Sequence, residues 1–224
     1  MQKFDTAAPI AAVIEVPAGR IQVIAADRAD TTVEVLPAKA SESRDVKAAE
    51  QTAVEFKDGV LHVKTTLQGN QILGLSGTVE VTVQVPSGSD IEVKSGGAEF
   101  RGVGRFGKVD CDGVYGAVKI DEAASLRLAL GGDVTVGRLT GSGEISTQHG
   151  DVDVDVAEAD SGTLVLSTQT GNVTVAAAPG VSATLDAGTG HGRITNALKN
   201  TEGAAAALTI RATTGHGDIT ARSL

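Results

Sequence analysis

Four short stretches in the second half of the chain decide the fold: STQHGDV at residues 146–152, STQTGNV at 167–173, GTGHGRI at 188–194 and TTGHGDI at 213–219. In each stretch a threonine stands three residues before a glycine, and valine or isoleucine follows two residues after it. Glycine suits a sharp corner because it adopts positive φ without steric cost. Apolar residues at every second position are typical of β-strands. The pattern therefore predicts a strand, a corner and a second strand, repeated along the chain.

The repeat extends over the last 135 residues, with turn glycines spaced 16 to 25 residues apart. A repeat of this length is too short to enclose a core alone, so successive repeats must stack and bury one apolar column. This predicts a β-solenoid. The apolar residues two positions after each glycine, expected to stack in sequence order, are Ala98, Val118, Val134, Val152, Val173, Ile194 and Ile219.

The first 89 residues also alternate between apolar and polar residues. Strands are predicted over Ala12–Val16, Arg20–Ile24, Thr32–Leu36 and Thr78–Val85. The segment Ser41–Gln51 is rich in Ala, Lys, Arg and Glu and predicts one short helix, with Ser41 or Ser43 as N-cap. A loop is predicted over Gln68–Gly77. The chain is thus expected to be all-β: a single-chain β-solenoid (β-helix) over residues 90–224, continuous with an N-terminal β cap over residues 1–89.

Composition narrows the classes of function. The 224 residues include 19 basic and 28 acidic side chains, giving a formal net charge of -9, and aromatic residues make up only 2%. Nucleic acids and anionic membranes require a basic surface, so neither is expected as a partner. No apolar run approaches the roughly 20 residues of a membrane span.

The opening MQKFDTAAPI has no apolar export segment, and the lone Cys111 fits a reducing compartment, so a cytoplasmic location is expected. Cys111 lies between Asp110 and Asp112, which favour a protonated thiol and a poor nucleophile.

The repeats resemble a bacterial family known as putative adhesins, which are built around S-x-x-G-x-V-x-V units. The resemblance covers nearly the whole chain, including AGRIQV from Ala18 and VPSGSDIEV from Val85. It implies a one-chain β-solenoid, with no catalytic residue and no cofactor to carry over. The function expected is that of a non-catalytic scaffold or protein-interaction module.

Three aspartates favour an alternative function. Asp151, Asp153 and Asp155 alternate with valines, so their carboxylates are expected on one strand face, roughly 7 Å apart. Carboxylates in such a row can bind Ca²⁺ or perform the acid–base chemistry of a carbohydrate-active solenoid enzyme. The other interpretation is a solvated face opposite the buried valines, and it is favoured because no arginine or aromatic sugar platform lies in register.

A second alternative comes from His149, His191 and His216, each of which precedes a turn glycine. His191 and His216 are expected one repeat apart, and two imidazoles at that distance can share a metal ion, with Asp151, Asp153 or Asp218 nearby. A metal-responsive module is therefore kept as an alternative to exposed corner histidines.

Partners are expected at the ends of the solenoid, where strands have unpaired edges. The last segment, Ile219–Leu224, contains only Arg222 as a charge that would discourage pairing. Self-association or binding of a protein partner is therefore predicted there, and Thr220→Pro is expected to weaken it.

Overall fold

The computed structural model describes residues 1–66, 77–157 and 162–224, so the loop predicted over Gln68–Gly77 lies outside the described residues except for Gly77. The described chain is all-β with one short α-helix, which confirms the predicted class. It divides into two compact units, Met1–Gly116 and Ala117–Leu224. No helix within the described ranges is both long and apolar enough to cross a membrane.

Two strand ladders build the N-terminal unit. One runs β5–β6–β2–β8–β9 and the other β1–β4–β7–β3–β9. The long strand β9 belongs to both, because residues 98–104 pair with β3 and residues 109–112 pair with β8. Pairing is parallel in the middle of the unit and antiparallel at β5–β6, β4–β7 and β1–β4. The elements are β1 (Gln2–Asp5), β2 (Ala11–Glu15), β3 (Gly19–Ala26), β4 (Asp30–Pro37), α1 (Ser43–Glu50), β5 (Thr52–Lys57), β6 (Val60–Thr65), β7 (Val79–Pro86), β8 (Asp90–Lys94) and β9 (Ala98–Val114).

The helix forms where the sequence predicts it, but its N-cap is different. The cap residue is Glu42, and its side chain makes no capping hydrogen bond. The carboxylate of Asp45 in the first turn instead accepts hydrogen bonds from the backbone N–H groups of Lys39 and Thr78, at 3.1 and 2.8 Å. Asp45 thus ties the first turn to the residue that precedes β7, and neither predicted serine is the cap, since Ser41 precedes Glu42 and Ser43 is the first helical residue.

The C-terminal unit contains two ladders in which every strand pair is parallel. One runs β10–β11–β13–β15–β19–β17 and the other β10–β12–β14–β18–β16. Alternate side chains of both ladders are buried and supply the apolar core of the unit. The elements are β10 (Val118–Leu130), β11 (Val134–Leu139), β12 (Gly143–His149), β13 (Val152–Val156), β14 (Gly162–Thr170), β15 (Val173–Ala177), β16 (Ala183–His191), β17 (Ile194–Ala197), a 3₁₀ turn (Gly203–Ala205), β18 (Leu208–His216) and β19 (Ile219–Ser223).

We call two strands joined by one corner glycine, one strand in each ladder, a rung. The rung β18–β19 lies between the rungs β14–β15 and β16–β17, so the spatial order departs from the sequence order. Val173 is aligned with Ile219, and Ile219 with Ile194. The predicted register is therefore right, but the predicted order of the last two rungs is wrong.

Asn196 accounts for the out-of-sequence order. It occupies the register position that Val175 and Ala221 fill with buried apolar side chains. Stacking in sequence order would place Asn196 between Val175 and Ala221, where burying its amide is costly. The observed order leaves Asn196 exposed at the end of the ladder, and Ile194, expected to be buried, is 43% exposed.

The edge predicted to be free is not free. Strand β19 pairs with β15 on one side and with β17 on the other, and the N–H of Leu224 donates to the carbonyl of Ala177 at 2.9 Å. Within the described residues, the strands of this unit paired on one side only at the end of the stack are β16 and β17. The prediction that Ile219–Leu224 forms the open edge, and with it the proposed Thr220→Pro test, is therefore wrong.

The order of the rungs can be tested with two isoleucines aligned in one ladder. Ile219→Ala is expected to lower the free energy of unfolding by roughly 2–5 kcal/mol, because Ile219 is fully buried. Ile194→Ala, the matched change at the exposed position, is expected to cost less than about 1.5 kcal/mol. Urea denaturation of both variants measures the difference. An equal or larger loss for Ile194→Ala would contradict the observed order.

Candidate functional site

The corners of the C-terminal unit bring successive rungs into very close contact. Gly171 and Gly217 have φ of +145° and +146°, a conformation that other residues rarely adopt. A Cβ built on Gly171 would collide with the carbonyl oxygen of Gly150, and one on Gly217 with that of Gly171. The glycines are therefore required both for their backbone conformation and for the approach of the neighbouring rung.

The threonine three residues before each corner glycine binds the previous corner. The hydroxyl of Thr168 donates to the carbonyl of Gly150 at 3.2 Å, and that of Thr214 donates to the carbonyl of Gly171 at 2.9 Å. Thr147 and Thr189 make the same bond to Gly132 and Gly217. This Thr row explains why threonine recurs before the glycines: it satisfies carbonyl groups that the turn leaves outside the strand ladders.

The residue after each corner glycine forms a second row, which we call the Asx row. Its members in spatial order are Asp133, Asp151, Asn172, Asp218 and Arg193. A side-chain oxygen of each Asp or Asn accepts a hydrogen bond from the backbone N–H of the next member, at 2.7 to 2.9 Å. The row ends at Arg193, whose side chain has no acceptor to offer a further rung.

The three aspartates of the calcium or carbohydrate alternative lie on one face of β13 but in different surroundings. One carboxylate oxygen of Asp151 accepts the N–H of Asn172 at 2.7 Å. Asp153 is aligned with Thr135 and Thr174, and Asp155 with Ala176. Partial burial and the nearby charge of Asp155 raise the pKa of the Asp153 carboxyl. Asp151 thus has a structural hydrogen-bonding role in the Asx row. At the positions aligned with Asp153 and Asp155, the neighbouring strands have threonine and alanine side chains, not further carboxylates.

The histidines are only partly brought together. The rings of His191 and His216 stack with centroids 4.7 Å apart and planes 2° apart. His149 belongs to the same row but is separated from His216 by Thr170. Ring nitrogens donate their lone pairs in the ring plane, so two stacked imidazoles do not converge on one metal ion. Among the described residues, no group of three or more His, Cys, Asp and Glu side chains is placed to hold a metal.

Cys111 lies on β9, where it is aligned with Val93 and buried. Burial raises the pKa of its thiol well above the usual range, and the charge of Asp110 raises it further. The direction of the shift agrees with the sequence prediction, although burial is the larger cause. The thiol is therefore held protonated, as expected for a structural cysteine.

Among the described residues, the end rung, β16 and β17, has the open edge of the unit, except at Ala183, whose N–H donates to the carbonyl of Lys199 at 3.1 Å. Its inward positions are incompletely covered: Leu185 and Ala187 are half-buried, and Ile194 is exposed. The residues aligned with them in β18 and β19, Ile210, Ala212 and Ile219, are fully buried. An unpaired strand edge beside exposed apolar side chains is the usual arrangement at which another strand is added.

Sequence reasoning did not identify the end rung, although the sequence contains two signals for it. Arg193 replaces Asp or Asn in the Asx row, and Asn196 replaces the apolar residue of the neighbouring rungs. Both substitutions occur in the same repeat. They identify the repeat at the end of the stack, where no further rung among the described residues accepts its backbone or covers its inward side chains.

No protein-family model matches the chain, and no curated protein matches it in sequence. Three solved structures match the chain over nearly its whole length. A putative adhesin from Parabacteroides distasonis has 14% identity and a TM-score of 0.51, covering 98% of this chain and 95% of that one. A putative cell adhesion protein from Clostridium sporogenes has 11% identity and a TM-score of 0.42, covering 100% and 98%. A putative adhesin from Bacteroides fragilis has 12% identity and a TM-score of 0.39, covering 98% and 95%. At 14% identity, the likeness to the Parabacteroides distasonis structure concerns the fold alone.

The structural role of the Asx row can be tested at Asp151. Asp151→Ala is expected to cost about 0.5–1.5 kcal/mol, because the N–H of Asn172 loses its acceptor. Asp151→Asn should change the free energy of unfolding little, because an asparagine oxygen can make the same bond: that of Asn172 accepts the N–H of Asp218. Hydrogen exchange of the Asn172 amide, together with urea denaturation, measures both effects. Unchanged exchange in Asp151→Ala would show that the bond has no role in solution.

Proposed function

We propose that this protein is a non-catalytic, adhesin-like interaction module that binds a partner strand at its end rung. One observation supports the proposal above all: among the described residues, β16 and β17 each have a partner strand on one side only, and they expose apolar inward positions. Strand addition at such an edge supplies backbone hydrogen bonds for affinity and side-chain contacts for specificity, and it needs no pocket.

A β-solenoid is the architecture that this proposal assumes. The two parallel ladders of the C-terminal unit, joined by repeated glycine corners, support it. In the N-terminal unit, the antiparallel strands β1, β4 and β5, together with α1, flank the parallel strands and act as a cap.

The fold likeness to putative adhesins agrees with a binding function rather than an enzymatic one. The carbohydrate-active alternative requires a convergent pair of carboxylates and a groove for the sugar. Asp151 is engaged by the backbone of the next rung, and the row that contains Asp153 offers threonines instead of a base. We therefore favour the interaction module over this alternative.

A site-specific photo-crosslinker tests where the module binds. The crosslinker is placed at Thr195, which is exposed on the end rung, or at Thr135, an exposed control position on the internal strand β11. A discrete adduct in the lysate of the organism that expresses the protein is expected from Thr195 and not from Thr135. The Thr195 adduct should disappear in Ile194→Lys, because a buried lysine opposes strand addition. Adducts at both positions, or at neither, would contradict the assignment of the end rung.

The absence of catalysis can be tested separately. Purified protein is incubated with a panel of neutral and acidic polysaccharides in the presence of Ca²⁺, and the release of reducing ends is measured. No turnover is expected from the protein or from Asp153→Asn. Turnover that is lost in Asp153→Asn would overturn the proposal in favour of the enzyme.

A further inference from the structure

We propose that the partner at the end rung is an extended protein segment that pairs with β17 and places a carboxylate beside Arg193. This inference rests on the proposed function and specifies the chemistry of the partner. Three features of the end rung support it: the direction of its free backbone groups, the apolar side chains next to them, and the basic residue that ends the Asx row.

The free backbone groups of β17 define where the segment is held. The N–H of Ile219 donates to the carbonyl of Arg193 at 2.9 Å, so the peptide groups of Arg193 face β19. Since successive residues of a strand direct their backbone groups to opposite edges, the N–H and C=O groups of Ile194 and Asn196 face away from β19. A segment added to this edge finds two residues whose N–H and C=O groups have no hydrogen-bond partner in the described part of the chain.

The apolar positions of the end rung define which side chains the segment needs. Ile194 is 43% exposed, although its counterpart Ile219 is fully buried. In a parallel ladder, side chains aligned in register stack on one another, as Val173, Ile219 and Ile194 do. A valine or isoleucine of the added segment, aligned with Ile194, would complete this column and cover the exposed surface.

The charge at the edge distinguishes this segment from a further repeat. In every rung before the last, a side-chain oxygen of the Asx row receives the N–H of the next rung. At the edge this position holds Arg193, which is exposed and has no ion-pair partner among the described residues. A carboxylate aligned with Arg193 would gain an ion pair, whereas a lysine there would be repelled.

The same reasoning disfavours a second copy of the chain. A symmetric pair of copies that meets at this edge brings two identical end rungs together. Such a pair brings a second Arg193 to the junction and adds no Asp or Asn to the row. The Asx row thus favours a different protein as the occupant, with an acidic residue one position before an apolar one.

Short peptides that copy one corner glycine and the start of the strand after it test this inference. The probes are capped Gly-Asp-Val-Thr-Val, the sequence of residues 132–136, and two matched peptides with Asn or Lys in place of Asp, titrated into ¹⁵N-labelled protein. Shifts are expected at the amides of Ile194 and Asn196. The Asp peptide should bind about 2- to 5-fold more tightly than the Asn peptide, as for an exposed ion pair. The Lys peptide should bind most weakly, and the preference should shrink at high salt.

Two variants separate the contributions. Arg193→Gln should remove the preference for Asp but retain the binding common to all peptides. Ile194→Lys should abolish binding of all three, whereas Thr135→Lys, an exposed change away from the end, should alter nothing. Equal binding of the Asp and Asn peptides to the unaltered protein would overturn the carboxylate inference and leave the proposed function standing. A concentration-dependent dimer that is lost in Ile194→Lys would overturn it in favour of a second copy, whereas failure of the Thr195 crosslink would remove the proposed function itself.

Discussion

Close contact between successive corner glycines is the constraint on which the C-terminal unit depends. The carbonyl oxygen of one corner lies where the Cβ of the next corner would be, so Gly150, Gly171, Gly217 and Gly192 admit no other residue without displacement of backbone. This contact aligns the strands on either side of each corner. Alignment in turn brings the Thr row and the Asx row into hydrogen-bonding distance. Each rung is thereby held by two side-chain bonds to the backbone in addition to its strand ladders.

Both rows are directional, and this gives the stack a defined end. A threonine serves the corner before its own, whereas an Asp or Asn serves the corner after it. Each net hydrogen bond of this kind stabilises a protein by about 0.5–1.5 kcal/mol. The N-terminal unit contains an equivalent bond, because Asp90 accepts the N–H of Lys108 at 2.7 Å. Arg193 interrupts the row, so the rung that contains it is suited to the end and unsuited to the interior.

In the proposed binding mode, the end rung restricts an exposed edge to particular partners. Natural proteins place charged residues at open strand edges, since an unmarked apolar edge pairs with any strand. Here Arg193 is next to Ile194 in sequence. A bound segment would contact the apolar side chain of Ile194, and the charge of Arg193 would favour an acidic residue in that segment. The stacked rings of His191 and His216 extend the contact between the last two rungs at the corner itself.

Several elements could be predicted from residues alone because their causes are local. Period-two alternation predicted the strands, the composition of Ser41–Gln51 predicted α1, and the spacing of the glycines predicted the alignment of Val152, Val173 and Ile219. The N-cap at Glu42 was missed because its side chain makes no capping bond, and the role of Asp45 was missed because Thr78 lies far from the helix in sequence. The roles of Thr168 and Asp151 were missed for the same reason, since their partners belong to other rungs.

The sequence by itself determined that the protein is a β-protein with glycine corners and one register for its repeats. Only the tertiary structure decided the order of the last two rungs, and therefore the position of the candidate site. Both orders align Val173, Ile194 and Ile219 equally well, so periodicity does not distinguish them. The observed order keeps Asn196 out of the apolar core and gives the N–H of Arg193 an acceptor in Asp218. Stacking in sequence order would bury an amide and leave the N–H of Asp218 facing an arginine side chain, and these costs arise only when whole rungs are in contact.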